Sequence, residues 1–359
     1  MNRVKVIAEL GVNHNGQEDL AFELIDKAIE SGADYVKFQT FNSYSLVSGD
    51  AQKASYQDEN TDKDISQLQM LRGLELSREC FAKLKRYSNE KGISFLSTAF
   101  DKDSLDFVVN ELNVDFLKIA SGELTNAPLI LDHARTKKAI VLSTGMAEET
   151  EILQALKIIA FGYSDSSDAN PNNSDLTNNF ESEEAQKVLK NNVTLLHCTT
   201  RYPTPVEDTN LNAIDTLKNK FNLNVGFSDH TSSVLVPALS VLKGVQVIEK
   251  HLTLNQDFYG PDHKASLNPS QFRDMVLNIR EAEISLGNYK KKLSSEEEEN
   301  KMAGRRSLHA SKDIKKGEIF KKDNITTLRP GTGMSPFSYW EILNKRAKRD
   351  YSPGDLIDE

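Results

Sequence analysis

The chain has 359 residues, room for one barrel-sized domain and a smaller one beside it. Its 44 basic and 53 acidic residues leave a net charge of −9, which argues against general affinity for nucleic acid. Cys80 and Cys198 are too few for a disulfide framework, and no signal peptide or long apolar span is evident, so a soluble cytoplasmic protein with no membrane partner is expected.

Short apolar runs recur along the chain, most of them separated by helix-like stretches. The first, VKVIAE (4–9), ends at Glu9. LAFELIDKAIESG follows, with apolar residues at helical spacing and Gly32 placed to stop the helix. YVKFQT (35–40) carries Lys37 and Gln39. CFAKLKRYSNEKG, ending at Gly92, repeats the helix-and-glycine device before ISFLST (93–98), which closes on Thr98. Then come FLKIAS (116–121) with Lys118 and Ser121, AIVLST (139–144) with Ser143, and VTLLHC (193–198). VGFSDH (225–230) ends in Ser228, Asp229 and His230, and VQVIEKH (245–251) in Glu249 and His251. Alternating strands and helices imply parallel βα units, and eight of them imply an α/β fold closed as a (β/α)8 TIM barrel. An open doubly wound sheet is the alternative, but it would gather ligands at one switch point, and no GxGxxG follows the first run.

Two stretches break this rhythm. Residues 162–184 (GYSDSSDANPNNSDLTNNFESEE) offer little to bury and are expected as a mobile surface insertion before the sixth strand, on the side away from the strands' C-terminal ends. Residues 287–301 carry a basic run and then an acidic one, as a solvated linker or helix end does. The barrel domain is therefore placed at 1–286. Beyond the linker, short β-like pieces broken by KKG, KDN and RPGTG predict a small β-rich domain over 302–359.

The polar residues of the eight runs cluster at their C-terminal ends. Charge inside a buried strand costs several kcal/mol unless paired or at a wet mouth, so a shared rim explains the pattern. Lys37 and Lys118, with the hydroxyls of Thr98, Ser121, Ser143 and Ser228, suit a small phosphate or carboxylate. The bland alternative pairs each lysine with a neighbouring glutamate inside the barrel. His230 and His251 end adjacent strands beside acidic residues, which suits a divalent ion such as manganese or zinc; ordinary core histidines are the alternative. Glu9 and Glu123 are candidate acid–base groups. Cys198 is a weak nucleophile candidate, because no histidine is evidently aimed at it. These residues describe a metal-assisted barrel enzyme acting on small anions.

The segments AELGVNHNG, VKFQT, FLSTAF, KIASGE, LSTGM, LLHCTTRYPTP, GFSDHT, EKHLT, GPDHKAS and RPGTG occur in this order. Together they make the chain resemble the sialic acid synthase family over nearly its whole length, apart from 162–184. The resemblance implies condensation of phosphoenolpyruvate with an N-acetylated hexosamine, and a C-terminal antifreeze-like (SAF) domain. It also implies a domain-swapped homodimer. By motif, His230 and His251 would hold manganese and Glu9 would be the catalytic carboxylate near the sugar aldehyde. Lys37, Ser143 and Ser228 would hold phosphate, and Thr98, Lys118 and Ser121 the carboxylate end of phosphoenolpyruvate. Glu123, Tyr202 and Asp262 would line the sugar side, and Arg329 would reach the sugar's N-acetyl region across the dimer. Thr200 stands where some members have Asn, and Ala99 where Pro is more usual. N-acetylmannosamine, giving N-acetylneuraminate, is the expected sugar. The alternatives are a 2,4-diacetamido trideoxy sugar giving legionaminate, then the pseudaminate branch, and a non-catalytic sugar-binding barrel.

Overall fold

The computed structural model of the chain describes residues 3–164 and 170–358. Eight parallel strands close into a barrel in sequence order: β1 (Lys5–Gly11), β2 (Tyr35–Thr40), β3 (Ser94–Ala99), β4 (Leu117–Ile119), β5 (Ile140–Ser143), β6 (Val193–Cys198), β7 (Asn224–Asp229) and β8 (Val247–His251). β1 pairs with β8 to complete the ring, so the (β/α)8 barrel expected from the eight apolar runs is what forms.

Strand side chains alternate, and the two faces have separate jobs. The outward face is apolar and meets the helices: Phe38 of β2 stacks on Phe95 of β3 with ring centroids 5.4 Å apart, and Phe81 of the helix Arg78–Lys91 packs edge-on against Phe38 at 6.3 Å. The helix ends follow the predicted chemistry. Ser77 accepts the N–H of Cys80 at one end of Arg78–Lys91, and Gly92 closes the other in a left-handed conformation (φ 81°) that a side chain would strain. One polar pair is sealed into the outward layer: Lys250 of β8 donates to Asp229 of β7 at 2.5 Å and to the Thr231 carbonyl, all of it buried.

The stretch 162–184, expected as a mobile insertion, is largely helical. The preceding helix runs to Ser164, a helix Asn173–Phe180 follows, and another begins at Glu183. Residues 165–169 lie outside the described residues. Asn172 accepts the N–H groups of Ser174 and Asp175, and Asp175 accepts the N–H of Asn172 in return, so the helix is started by its own cap rather than by an apolar stripe. Phe180 then anchors its end against the barrel's core cluster.

The chain divides into units Met1–Gly287 and Asn288–Glu359. In the second, a helix Ser295–Gly304 precedes an antiparallel pair, β9 (Ser307–Ala310) and β10 (Ile325–Leu328). Leu308, Ile314, Phe320, Ile325, Tyr351 and Ile357 form its small core. No helix among the described residues is long and apolar enough to cross a membrane.

Candidate active site

Strand register lines up the chemistry. Glu9 lies beside His251 across β1 and β8, and beside Lys37 across β1 and β2. Thr98 lies beside Gln39 and Lys118, and Ser228 beside Glu249. These side chains line a cavity of about 440 Å³ at the C-terminal mouth. Ser121, Ser143, Tyr202, His230 and Asp262 line it too, so eleven of the thirteen residues predicted for the site share one cavity.

Its floor is a buried charge network. Lys37 pairs with Glu9, donates to Thr98 Oγ1 at 3.1 Å and lies 3.7 Å from Glu249. Lys118 lies 3.8 Å from Glu249, which also accepts the Ser228 hydroxyl at 3.0 Å. The bland alternative for the lysines thus holds alongside the functional one, since both are paired internally and both face the cavity. Burial pushes the Glu9 carboxyl up from its ordinary value; Lys37 opposes this, and the negative Glu249 adds to it. Glu249 feels the same desolvation, yet Lys118 and Lys37 together hold it below the ordinary range. Two carboxyls in one cavity are therefore driven in opposite directions, the arrangement that separates a proton holder from a fixed anion. Gln39 Nε2 donates to Glu9 at 2.9 Å, and Gly11 leaves room for this contact: a Cβ there would lie 2.8 Å from Glu9 Oε1 and 3.1 Å from Gln39 Nε2.

The histidines sit on the next residues of the same face. Their ring centroids are 5.4 Å apart, and Tyr202 covers His230 at 4.2 Å. Desolvation lowers both well below the ordinary value, His230 to about 4, so both are neutral near pH 7. His230 Nδ1 bonds the Thr199 carbonyl, which makes it the N–H and leaves the lone pair on Nε2. His251 Nδ1 is buried without a hydrogen-bond partner, 3.7 Å from Asp262, whose carboxyl burial raises to about 7. Among the described residues no three His, Cys, Asp or Glu groups are set to hold an ion. The pair fits a site with two protein ligands and open positions for water or substrate.

One predicted residue of the barrel is not brought to this cavity. Glu123 sits half-buried in the short turn Ser121–Glu123 after β4, where its carboxylate accepts from Asn126 Nδ2 at 2.7 Å. Arg329 belongs to the second unit and is exposed there. Conversely, Gln39 and Glu249 line the cavity although neither was given a site role; each is two residues from a predicted member of the same strand face. Tyr56, stacked on Tyr202 with centroids 4.9 Å apart, comes from the helix Ser55–Asn60, and nothing in the local sequence points to it. Thr200 lines the wall, and Cys198 is a buried thiol whose pKa desolvation raises, 3.2 Å from the Ser121 hydroxyl.

A parallel barrel with lysines, hydroxyls, two opposed carboxyls and two neutral histidines at one mouth defines a barrel enzyme for small anionic substrates. Residues 24–291 match the NeuB family, and residues 305–359 match the SAF domain. The chain is 43% identical over 359 residues to the N,N'-diacetyllegionaminic acid synthase of Campylobacter jejuni, with all of both chains covered. It is 41% identical to the synthase of that name from Legionella pneumophila, over 98% of this chain and 92% of that one. The crystal structure of the N-acetylneuraminic acid (sialic acid) synthetase of Leptospira borgpetersenii superposes with a TM-score of 0.66 at 30% identity, covering 83% of this chain and 90% of that one. The chain belongs to the NeuB family and is an enzyme, a transferase-type synthase of nonulosonic acid biosynthesis.

Proposed function

We propose that this enzyme condenses phosphoenolpyruvate with 2,4-diacetamido-2,4,6-trideoxymannose and water, giving N,N'-diacetyllegionaminate and phosphate in the cytoplasm. The observation that carries the reading is the cavity in which Lys37 and Lys118 meet four hydroxyls beside a neutral histidine pair. The sugar differs from the N-acetylmannosamine expected first. Full-length similarity to two diacetyllegionaminic acid synthases supports the alternative.

Lys37, Lys118, Thr98, Ser121, Ser143 and Ser228 hold the two anionic ends of phosphoenolpyruvate, cations against charge and hydroxyls against the remaining lone pairs. Its methylene carbon attacks the open-chain sugar aldehyde, forming the new carbon–carbon bond. Water adds to the electron-poor carbon left behind, and the C–O bond to phosphate breaks. Glu9, protonated more readily than an ordinary carboxyl, holds the proton exchanged with the aldehyde oxygen, and Gln39 orients it. Glu249 stays ionised and keeps both lysines aimed at the cavity. Tyr202 and Asp262 wall the sugar side. His230 and His251 would hold a divalent ion, manganese in this proposal, which when bound polarises the sugar carbonyl.

The proposal extends to a homodimer in which each SAF unit caps the partner's barrel and Arg329 reaches the sugar's N-acetyl group. Arg329→Ala should then weaken sugar use and spare phosphoenolpyruvate binding; equal losses for both substrates would count against that role. The reading as a whole is tested by phosphate release from phosphoenolpyruvate. Release should require the trideoxy sugar, fall after chelation and return with manganese, whereas a sugar-binding barrel without catalysis releases none.

A further inference from the structure

The connection between β2 and β3 brings to the cavity a helix face that the chemistry above does not use. In the helix Gln67–Arg72, the residues Gln67, Met70 and Leu71 line the cavity, and Leu74, in the turn just past the helix, lines it too. Gln67, Met70 and Leu71, spaced i, i+3 and i+4, share a single helical face. Met70 and Leu74 are buried with Val12, another lining residue, in an apolar cluster separate from the barrel's core. Phe41 and Ile65, with Leu71 itself, pack against that cluster, so the wall is held by apolar contacts beyond its own residues. Gln67 adds a side-chain amide that has no protein partner among the described residues.

This mixture selects among sugars by desolvation. A hydroxyl pressed against Met70, Leu71 and Val12 gives up its hydrogen bonds to water and finds none in exchange, whereas a methyl group loses nothing there. An acetamido group presents an N–H, a carbonyl and a methyl together, and a glutamine amide matches the first two while an apolar wall takes the third. We propose that the face formed by Gln67, Met70, Leu71 and Leu74 with Val12 is the specificity wall of the cavity. It receives the deoxy methyl and second acetamido group of a diacetamido trideoxy sugar and disfavours the hydroxyls that N-acetylmannosamine carries at those positions. This rests on the condensation proposed above and adds the residues that choose its sugar.

Steady-state kinetics with both sugars, at saturating phosphoenolpyruvate, test it on the wild type, Met70→Gln, Leu71→Asn and Gln67→Leu. Wild type should favour the trideoxy sugar in kcat/KM by roughly 10- to 200-fold. Each substitution should cut that ratio by about 10-fold through loss on the trideoxy sugar, with KM for phosphoenolpyruvate unchanged. If Met70→Gln does not fold, the half-buried Leu71→Asn carries the same test. A wild type that favours the trideoxy sugar while its variants keep the ratio, or lose equally on both sugars, overturns the wall alone. A wild type that favours N-acetylmannosamine overturns the sugar assignment, and the wall with it. Absence of turnover with either sugar overturns the proposed function.

Discussion

Glu9 and Glu249 share one cavity but differ in company, and that difference sets what each can do. Glu249 has a lysine on either side; Glu9, as deeply buried, has one lysine and Glu249 as a negative neighbour. Lys118→Met removes a cation from the floor and should raise KM for phosphoenolpyruvate about 10- to 100-fold, the cost of a charge-assisted contact; initial-rate kinetics would show it, and an unchanged KM would remove Lys118 from the anion site. Gly11→Ala places a Cβ against the Glu9 carboxylate at a positive φ of 43°. It should cost about 1–2 kcal/mol in a denaturant melt and lower turnover by moving Glu9 off Gln39. At this scale the sequence was informative wherever side-chain period did the work. Lys37 and Gln39, or Glu249 and His251, are two apart on one strand face, so one member points to the other. Tyr56 and Gln67 carry no such sign, because they reach the cavity from short helices whose position depends on packing rather than on their own pattern.

Among the elements, the strands were legible, as were the connecting helices closed by Gly32 and Gly92, whereas the connection before β6 was not. β2 and β6 have the bounds their apolar runs predict, and the other six shift by only one or two residues, because the face each strand turns to the helices must be apolar along its length. The helix Asn173–Phe180 escaped notice for the opposite reason: it has no buried residue of its own, and its cap and the Phe180 contact hold it. The Asp229–Lys250 pair joins β7 to β8 directly behind the histidines. Lys250→Met leaves Asp229 charged and buried, and should cost about 3–5 kcal/mol in chemical denaturation. Adding Asp229→Asn should return much of that loss; if the double variant is as unstable as the single, the pair is not the cause.

For the whole molecule, buried neutral histidines tie stability to pH. Desolvation lowers His14 and His133 to about 4 from an ordinary 6.5, so the unfolded chain takes up these protons first as pH falls. Their contribution is intact above pH 6.5 and is lost progressively between 6.5 and 4, by up to about 1.4 kcal/mol per pH unit for each group. Melting temperature should fall across that window, and His133→Gln should flatten the fall by one proton's worth; an unchanged slope would mean that His133 is protonated in the native state. The catalytic claim depends on the rim as a unit, and one isotope measurement addresses it. With phosphoenolpyruvate, the trideoxy sugar, manganese and oxygen-18 water, mass spectrometry should find the condensed ketoacid together with phosphate free of label, because water enters at carbon and the C–O bond breaks. Labelled phosphate, or phosphate released with no ketoacid formed, would contradict it.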